Sequence, residues 1–178
     1  MNYFNSKLLL LAVSSMIANF FIHCMEEKTG VTTKDKLSTY KLTYTLKGHF
    51  GAARLVAFSP EGKTALTGSD DGKARLWDAS AGKQIQVLKG HINYVTSVAF
   101  SSDGKTALTR SDDGKARLWD TSTGKQIHVL KGHISYVTSV VFSPDGKTVL
   151  IGSGDNIARL WNVATGKEIH ILKGHTGP

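Results

Sequence analysis

The sequence is poor in cysteine and proline, and it has few aromatic residues. Its 178 residues include one cysteine, Cys24, and three prolines, while phenylalanine, tryptophan and tyrosine together make up 8%. A single cysteine cannot form a disulfide within the chain or build a cysteine-based metal site. The core must therefore be built from short apolar segments, without covalent cross-links.

Long apolar runs are also scarce, and the clearest one lies near the start. Lys7 precedes the run Leu8–Val13, scattered polar residues interrupt the stretch that follows, and two glutamates come directly after Met25. A charged start, a short apolar core and a polar exit are typical of a secretory signal peptide. A membrane-spanning helix would need about 18 to 20 predominantly apolar residues.

This pattern predicts an exported protein, secreted or periplasmic. Residues 1–24 would be the signal peptide and residues 25–40 a linker, so the mature chain would contain no thiol and no membrane span. The alternative is a lipid-anchored N-terminus at Cys24, although His23 stands where such proteins have a small residue.

One pattern recurs every 42 residues along the rest of the chain. The dipeptide Gly-His contributes His49, His91, His133 and His175, and the only tryptophans are Trp77, Trp119 and Trp161. The first two repeats agree at about 30 of their 42 positions. So regular a period makes each repeat one supersecondary unit.

The second repeat shows the strands within a unit. Residues 96–100 (TSVAF) alternate between two faces, and residues 106–109, 116–120 and 126–130 are further short strands. Glycine-containing turns, such as SDGK at residues 102–105, separate them. Four antiparallel strands in one unit make a propeller blade.

Repeats that begin with Gly-His and continue VAFSSDGKTALTRSDDGKARLWD resemble WD-repeat β-propellers over residues 41–178. The resemblance implies an all-β fold of three four-stranded antiparallel blades, at about residues 50–89, 92–131 and 134–173. Residues 41–47 match the fourth strand of a blade and would form an orphan strand. Propellers carry roughly four to eight blades, so we expect an incomplete propeller from a single chain.

Three explanations of this blade number stay open. The chain is a fragment of a longer array, or it self-associates to close a ring, or it persists as an open arc. The near identity of the first two repeats favours a fragment, since arrays that grow by copying are also easily cut.

In the WD-repeat family, each blade holds a hydrogen-bonded set that fixes its hairpins. The resemblance assigns the first set to His49, Thr67, Asp71 and Trp77, the second to His91, Thr109, Asp113 and Trp119, and the third to His133, Asp155 and Trp161. In the third repeat Ile151 stands in place of the hydroxyl residue, and Asn162 replaces the aspartate after the tryptophan. We expect these residues to be structural, and the third blade to be weakened by about 1 kcal/mol.

No residue group predicts catalysis, a cofactor or a metal. The Gly-Lys-Thr triplets at residues 62–64, 104–106 and 146–148 lack the glycine that a phosphate-binding loop has five positions earlier. His128 and His170 occupy matching places in successive repeats, but no third metal ligand lies at suitable spacing. We therefore expect these two histidines to face solvent and the protein not to be an enzyme.

The remaining prediction is a scaffold that binds a protein or peptide through one loop face. In propellers of this family, the loops before the first strand and between the second and third strands share a face. On it the sequence places Asn93, Tyr94, Arg110, Ser135 and Tyr136, and tyrosine and arginine are enriched at binding hot spots.

Two other functions compete with this one. The net charge of +8 would suit an anionic polymer, but aspartates lie beside the lysines and no aromatic-lined basic groove is apparent, so nucleic acid is disfavoured. A vestigial propeller fragment without a partner of its own is the second alternative.

Overall fold

The structure, a computed structural model, describes residues 9–11, 23–25, 43–132, 135 and 137–176. All regular secondary structure in these ranges is β-strand, and these ranges contain no helix. Near the start, β1 (Leu9–Leu11) pairs antiparallel with β2 (His23–Met25). The described ranges contain no helix with the length and apolar character needed to cross a membrane.

Three four-stranded antiparallel sheets follow, and each takes its strands consecutively from the chain. The first sheet contains β3 (Ala53–Phe58), β4 (Thr64–Ser69), β5 (Ala74–Asp78) and β6 (Lys83–Leu88). The second contains β7 (Val95–Phe100), β8 (Thr106–Ser111), β9 (Ala116–Asp120) and β10 (Gln126–Leu130). The third contains β11 (Val137–Phe142), β12 (Thr148–Ser153), β13 (Ile157–Asn162) and β14 (Glu168–Lys173). The predicted all-β fold of three four-stranded blades is confirmed, and we number the blades one to three.

Side-chain alternation gives each blade two apolar faces. In blade one, Leu66 on β4 pairs with Leu76 on β5 on one face, while Ala65 pairs with Trp77 on the other. Successive residues of a strand point to opposite faces, so a strand buried on both sides reads as a nearly continuous apolar run. TAL and ARLW are such runs.

Neighbouring blades pack face to face. Leu66, Leu76 and Leu88 of blade one form a cluster with Trp119 and Phe100 of blade two. The corresponding leucines of blade two pack on blade three: Leu108, Leu118 and Leu130 cluster with Trp161. The same interface is therefore built twice, once between blades one and two and once between blades two and three.

The turns between the first two strands of each blade are tight hairpins. In blade two, the Gly104 N–H donates to the Ser101 carbonyl, and Gly104 has a positive φ of 70°. Glycine adopts this conformation without steric cost. The Gly-Lys-Thr triplets lie at these turns and lead into the second strands, as hairpin turns rather than phosphate-binding loops would.

The orphan strand expected at residues 41–47 does not form in the described part of this segment. Residues 43–49 lie in no strand and belong to none of the sheets that the described residues form. They nevertheless follow the path of a fourth strand: the Tyr44 ring packs over Gly82, as Gln86 on β6 packs over Gly124.

Candidate functional site

The predicted hydrogen-bonded set of blade one comes together around Thr67. His49 Nε2 lies 2.7 Å from Thr67 Oγ1, and the Trp77 indole N–H donates to the same oxygen at 2.9 Å. On its other side, His49 Nδ1 lies 3.1 Å from Asp71 Oδ2. The set therefore joins the loop before β3, the strand β4, the turn after it and the strand β5.

Blade two repeats this arrangement closely. His91 Nε2 lies 2.8 Å from Thr109 Oγ1, Trp119 Nε1 donates to Thr109 Oγ1 at 2.8 Å, and His91 Nδ1 lies 3.0 Å from Asp113 Oδ2. The two sets differ by at most 0.1 Å in these distances. Near-identical repeats thus build near-identical buried networks.

Burial determines the protonation of the two histidines. It lowers the pKa of His49 and of His91 below the usual 6.5, and it outweighs the hydrogen bond to the aspartate, which raises the pKa. Both imidazoles are therefore neutral near pH 7. Nδ1–H then donates to the carboxylate, and Nε2 accepts from the threonine hydroxyl.

The buried aspartates stay ionised. Burial alone would raise the pKa of Asp71, but hydrogen bonds from the Phe50 N–H and from His49 lower it to about 2. The backbone N–H of Lys73 also donates to the other carboxylate oxygen, at 3.0 Å. Backbone donors from two loops thus converge on one side chain.

A buried arginine in each blade was missed by the sequence analysis. Arg75 Nη1 donates to Asp71 Oδ2 at 3.0 Å, and Arg159 Nη1 donates to Asp155 Oδ2 at 3.0 Å. In blade two, Arg117 Nη1 lies 3.5 Å from Asp113 Oδ2. Because the histidines are neutral, these guanidinium groups supply the counter-charge that a buried carboxylate requires. The sequence feature that could have predicted this ion pair is an arginine inside an otherwise apolar strand, four residues after the aspartate in every repeat.

The third blade has only part of the set. Asp155 keeps its arginine partner and accepts from the Ile157 N–H at 3.1 Å. Ile151 offers no hydroxyl, and the Trp161 Nε1 atom is buried without a hydrogen-bond partner among the described residues. His133, the predicted third histidine, lies outside the described residues.

Asn162 does not weaken the third blade in the way we expected. Its Oδ1 accepts from the Thr165 N–H at 2.9 Å, and Asp120 Oδ1 accepts from the Thr123 N–H at 2.8 Å in blade two. The amide oxygen therefore caps the turn as the carboxylate does. Ile151 is the substitution that leaves a polar group unsatisfied.

The loops before the first strands and the turns between the second and third strands lie together. A Cβ atom added at Gly72 would lie 3.3 Å from the Asn93 carbonyl oxygen of the next blade. We call this surface the loop face and define it by residues 50–52, 70–73, 91–94 and 112–115.

Two exposed apolar side chains dominate the loop face. Phe50 is 90% exposed and Ile92 is 84% exposed, and they occupy the same position in successive repeats. Tyr94, two residues after Ile92, is half exposed, and Lys73 Nζ lies 5.8 Å from the centre of the Phe50 ring. Phe50 and Ile92 are not among the predicted binding residues, although both directly follow Gly-His. Beside Tyr94 lies an open cavity of about 280 Å³, and it is lined by Arg54, Leu55, Asp70, Tyr94, Val95 and Thr96.

The other predicted binding residues differ in how exposed they are. Asn93 is exposed on the loop face, where its side-chain oxygen accepts from the Tyr94 N–H at 2.8 Å. Ser135 is half-buried and its carbonyl lies 3.5 Å from Ser153 Oγ. Tyr136 lies outside the described residues. The prediction that Arg110 contacts a partner is wrong, because its side chain is buried and offers little surface. Its Nη2 lies 3.7 Å from Asp112 Oδ1.

The two histidines on the fourth strands are not equivalent in their surroundings. His128 is half-buried against blade three, where its Nε2 donates to the Ala164 carbonyl at 3.0 Å. This corrects the expectation that it faces solvent, whereas His170 is exposed. Within the described ranges, no group of three histidine, cysteine or acidic side chains could hold a metal ion.

Four-stranded sheets stacked face to face, with a buried network in blades one and two and part of it in blade three, define a β-propeller. The family model for "WD domain, G-beta repeat" matches residues 40–78, 82–120 and 124–162. The chain belongs to the WD-repeat family. Proteins of this family are generally non-catalytic scaffolds for protein interaction.

Individual relatives agree with this assignment. A guanine nucleotide-binding protein subunit beta of Oryza sativa subsp. indica is 37% identical over 82 residues, which cover 46% of this chain and 21% of the relative. The small ribosomal subunit protein RACK1z of Arabidopsis thaliana is 45% identical over 49 residues, 28% of this chain and 15% of the relative. This chain thus matches about a fifth or less of the length of these two relatives.

A solved structure shows the same fold. The crystal structure of the RRP9 WD40 repeats superposes with a TM-score of 0.70 at 23% sequence identity, over 74% of this chain and 42% of that one.

The prediction of an exported protein is wrong. The relatives include a ribosomal subunit protein and a guanine nucleotide-binding protein subunit, which are intracellular proteins. The prediction depended on one short apolar run, and a run of this length is equally compatible with a strand. In the structure, Leu9–Leu11 from that run pairs with His23–Met25.

We expect Ile151→Thr to yield a more stable protein than Ile151→Val. Threonine and valine have nearly the same shape, and at an ordinary buried site the desolvated hydroxyl makes threonine the less stable of the two. Here the hydroxyl would accept from Trp161 Nε1, as Thr109 accepts from Trp119, so threonine should be ahead by about 1 kcal/mol. Urea unfolding of both variants measures the difference. As a control, Val149→Thr should be destabilising, and a valine at 151 as stable as threonine would refute the expectation.

We expect the free energy of unfolding to fall as the pH drops below the histidines' usual pKa of 6.5. The unfolded chain binds protons there while the folded chain, with lowered histidine pKa values, does not, so acid favours unfolding. Urea midpoints at about pH 7.5 and about pH 5.5 measure this slope. The slope should flatten in His91→Gln and stay unchanged in His170→Gln, which alters an exposed histidine. Equal slopes in all three proteins would contradict the assignment.

Proposed function

We propose that this chain is a non-catalytic interaction module that holds a protein or peptide partner on its loop face. The observation that carries the proposal is the pair Phe50 and Ile92, whose large apolar side chains are almost fully exposed at matching positions of neighbouring blades. Large apolar side chains that are exposed on the same rigid face are typical of sites that another molecule covers.

These two residues are held rigidly by the buried networks. The Phe50 N–H donates to Asp71 Oδ2 at 3.1 Å, and the Ile92 N–H donates to Asp113 Oδ2 at 3.4 Å. The backbone N–H of each exposed residue is therefore hydrogen-bonded to a buried carboxylate. Pre-ordering of this kind lowers the entropy lost when a partner binds.

The surroundings of the pair favour a protein or peptide partner. Tyr94 and the cavity beside it provide an aromatic surface, and the Arg54 guanidinium pairs with Asp70 at 2.9 Å. Positive and negative side chains thus neutralise each other at the rim. A mixed rim around an apolar centre suits a peptide better than a polyanion.

We expect short peptides selected on the wild-type chain from a displayed random library to lose at least tenfold in affinity for the double variant Phe50→Asp, Ile92→Asp. Two charges would then face the apolar side chains of the peptide. The control is Ile127→Asp, since Ile127 is exposed on β10, outside the loop face. Fluorescence anisotropy measures the affinities.

Three outcomes would contradict this proposal. One is a library that yields no specific peptide, and another is a peptide whose affinity survives both loop-face substitutions. The third is affinity that falls steeply between about 50 and 200 mM salt, which indicates binding of anionic groups by the lysines.

A further inference from the structure

The face of blade three that points away from blade two is apolar, and the described residues leave it open. Leu150 is 36% exposed and Leu172 is 48% exposed, and the half-buried Leu160 lies in the strand between them. Their counterparts in blade one are Leu66, Leu76 and Leu88, all fully buried by blade two. Blade three therefore repeats one half of the interface between blades.

Blade one carries the other half of the same interface. In blade two, the surface that covers the leucines of blade one is formed by Val98, Phe100, Ala107 and Trp119. The corresponding residues of blade one are Val56, Phe58, Ala65 and Trp77. All four residues are identical in the two blades, so the two surfaces are chemically the same. Within one chain, Ala65 and Trp77 are already buried, while Val56 and Phe58 are half-buried.

We propose that blade three of one copy of this chain packs against blade one of a second copy, and that two copies close a ring of six blades. Each copy supplies both halves of the interface, so a twofold axis creates two such contacts at once. Six blades fall within the range in which propellers close. This proposal is independent of the proposed loop-face function.

The partner on this face is a second copy of the chain, because this interface already exists within one chain. Leucines at the three matching positions meet tryptophan and phenylalanine between blades one and two, and leucines meet tryptophan between blades two and three. The intermolecular contact would thus continue an interface that the chain itself builds twice. It would also bury Leu150 and Leu172, which are partly exposed to water, and burial of apolar surface is the main favourable contribution to association.

Residues 43–46, which match residues 85–88 of β6, must give way for this contact to form. They lie where the fourth strand of a preceding blade would lie, with Tyr44 over Gly82. In the proposed ring β14 takes this place, and His170 replaces Tyr44 over the glycine, as His128 already packs over Gly166. The exchange favours β14, since it pairs along its length with β13 whereas residues 43–46 lie in no strand. His49 keeps its place, hydrogen-bonded to Thr67 and Asp71.

The first test is the solution mass of the full chain by light scattering on a sizing column. Wild type at about 100 μM, a concentration that would populate a dimer of micromolar affinity, should have twice the 19.2 kDa of one chain. Leu172→Asp should weaken dimerisation at least tenfold. Ile169→Asp is the matched control, since Ile169 is 40% exposed on the same strand but points to the other face. A monomeric wild type, or equal weakening by both variants, would overturn the proposal.

The second test fixes the geometry of the contact. A Cβ atom at Gly68 would lie 3.0 Å from Val98 Cγ1 across the interface of blades one and two, and the matching residues across the proposed contact are Gly152 and Val56. In a Cys24→Ser background, Gly152→Cys with Val56→Cys should oxidise to a covalent dimer, and each single cysteine should not. A covalent ladder of larger species, or no cross-link, would contradict a closed ring of two.

Discussion

The structure depends above all on one buried carboxylate in each blade. Asp71 and Asp113 lie in the turn between two strands, and each must be fully hydrogen-bonded, because an unpaired buried charge costs several kcal/mol. Its donors come from separate places: the histidine and backbone N–H of the preceding loop, and the arginine of the following strand. None of these segments can move without leaving the carboxylate unsatisfied, so the carboxylate holds them together.

The same carboxylate connects the interior to the surface. Its backbone donors include the N–H groups of Phe50 and Ile92, the two most exposed apolar residues of the loop face. A network that stabilises the fold thus also fixes the position of the candidate binding surface. Blade three, which lacks one hydroxyl in its set, shows that the fold tolerates an incomplete network, since Asp155 keeps its arginine while Trp161 loses its acceptor.

The sequence was sufficient to predict what depends on local pattern. The 42-residue period identified the blades, and the strands follow from alternation and turn glycines. Family resemblance also placed His49, Thr67, Asp71 and Trp77 in one set, and the structure brings these four side chains together.

What the sequence did not indicate depends on neighbouring blades and loops. Arg110 replaces a glycine and reads as a surface residue, but packing between blades buries it. His128 reads as solvent-facing, but the turn of blade three lies against it. Phe50 and Ile92 read as ordinary apolar residues, and only the path of the loop leaves them exposed. The localisation error has a similar origin, because a short apolar run does not by itself determine whether a chain is exported.

The repetition of one interface along the chain also bears on how such proteins change over time. Every blade presents leucines on one side and a tryptophan surface on the other, so a duplicated stretch of 42 residues would enter the array with both of its neighbours already compatible. Insertion or loss of a whole repeat therefore needs no compensating substitution at the junctions. The arrangement makes blade number easy to alter while each blade's interior is preserved, and the about 30 positions shared by the first two repeats are consistent with such a copying event.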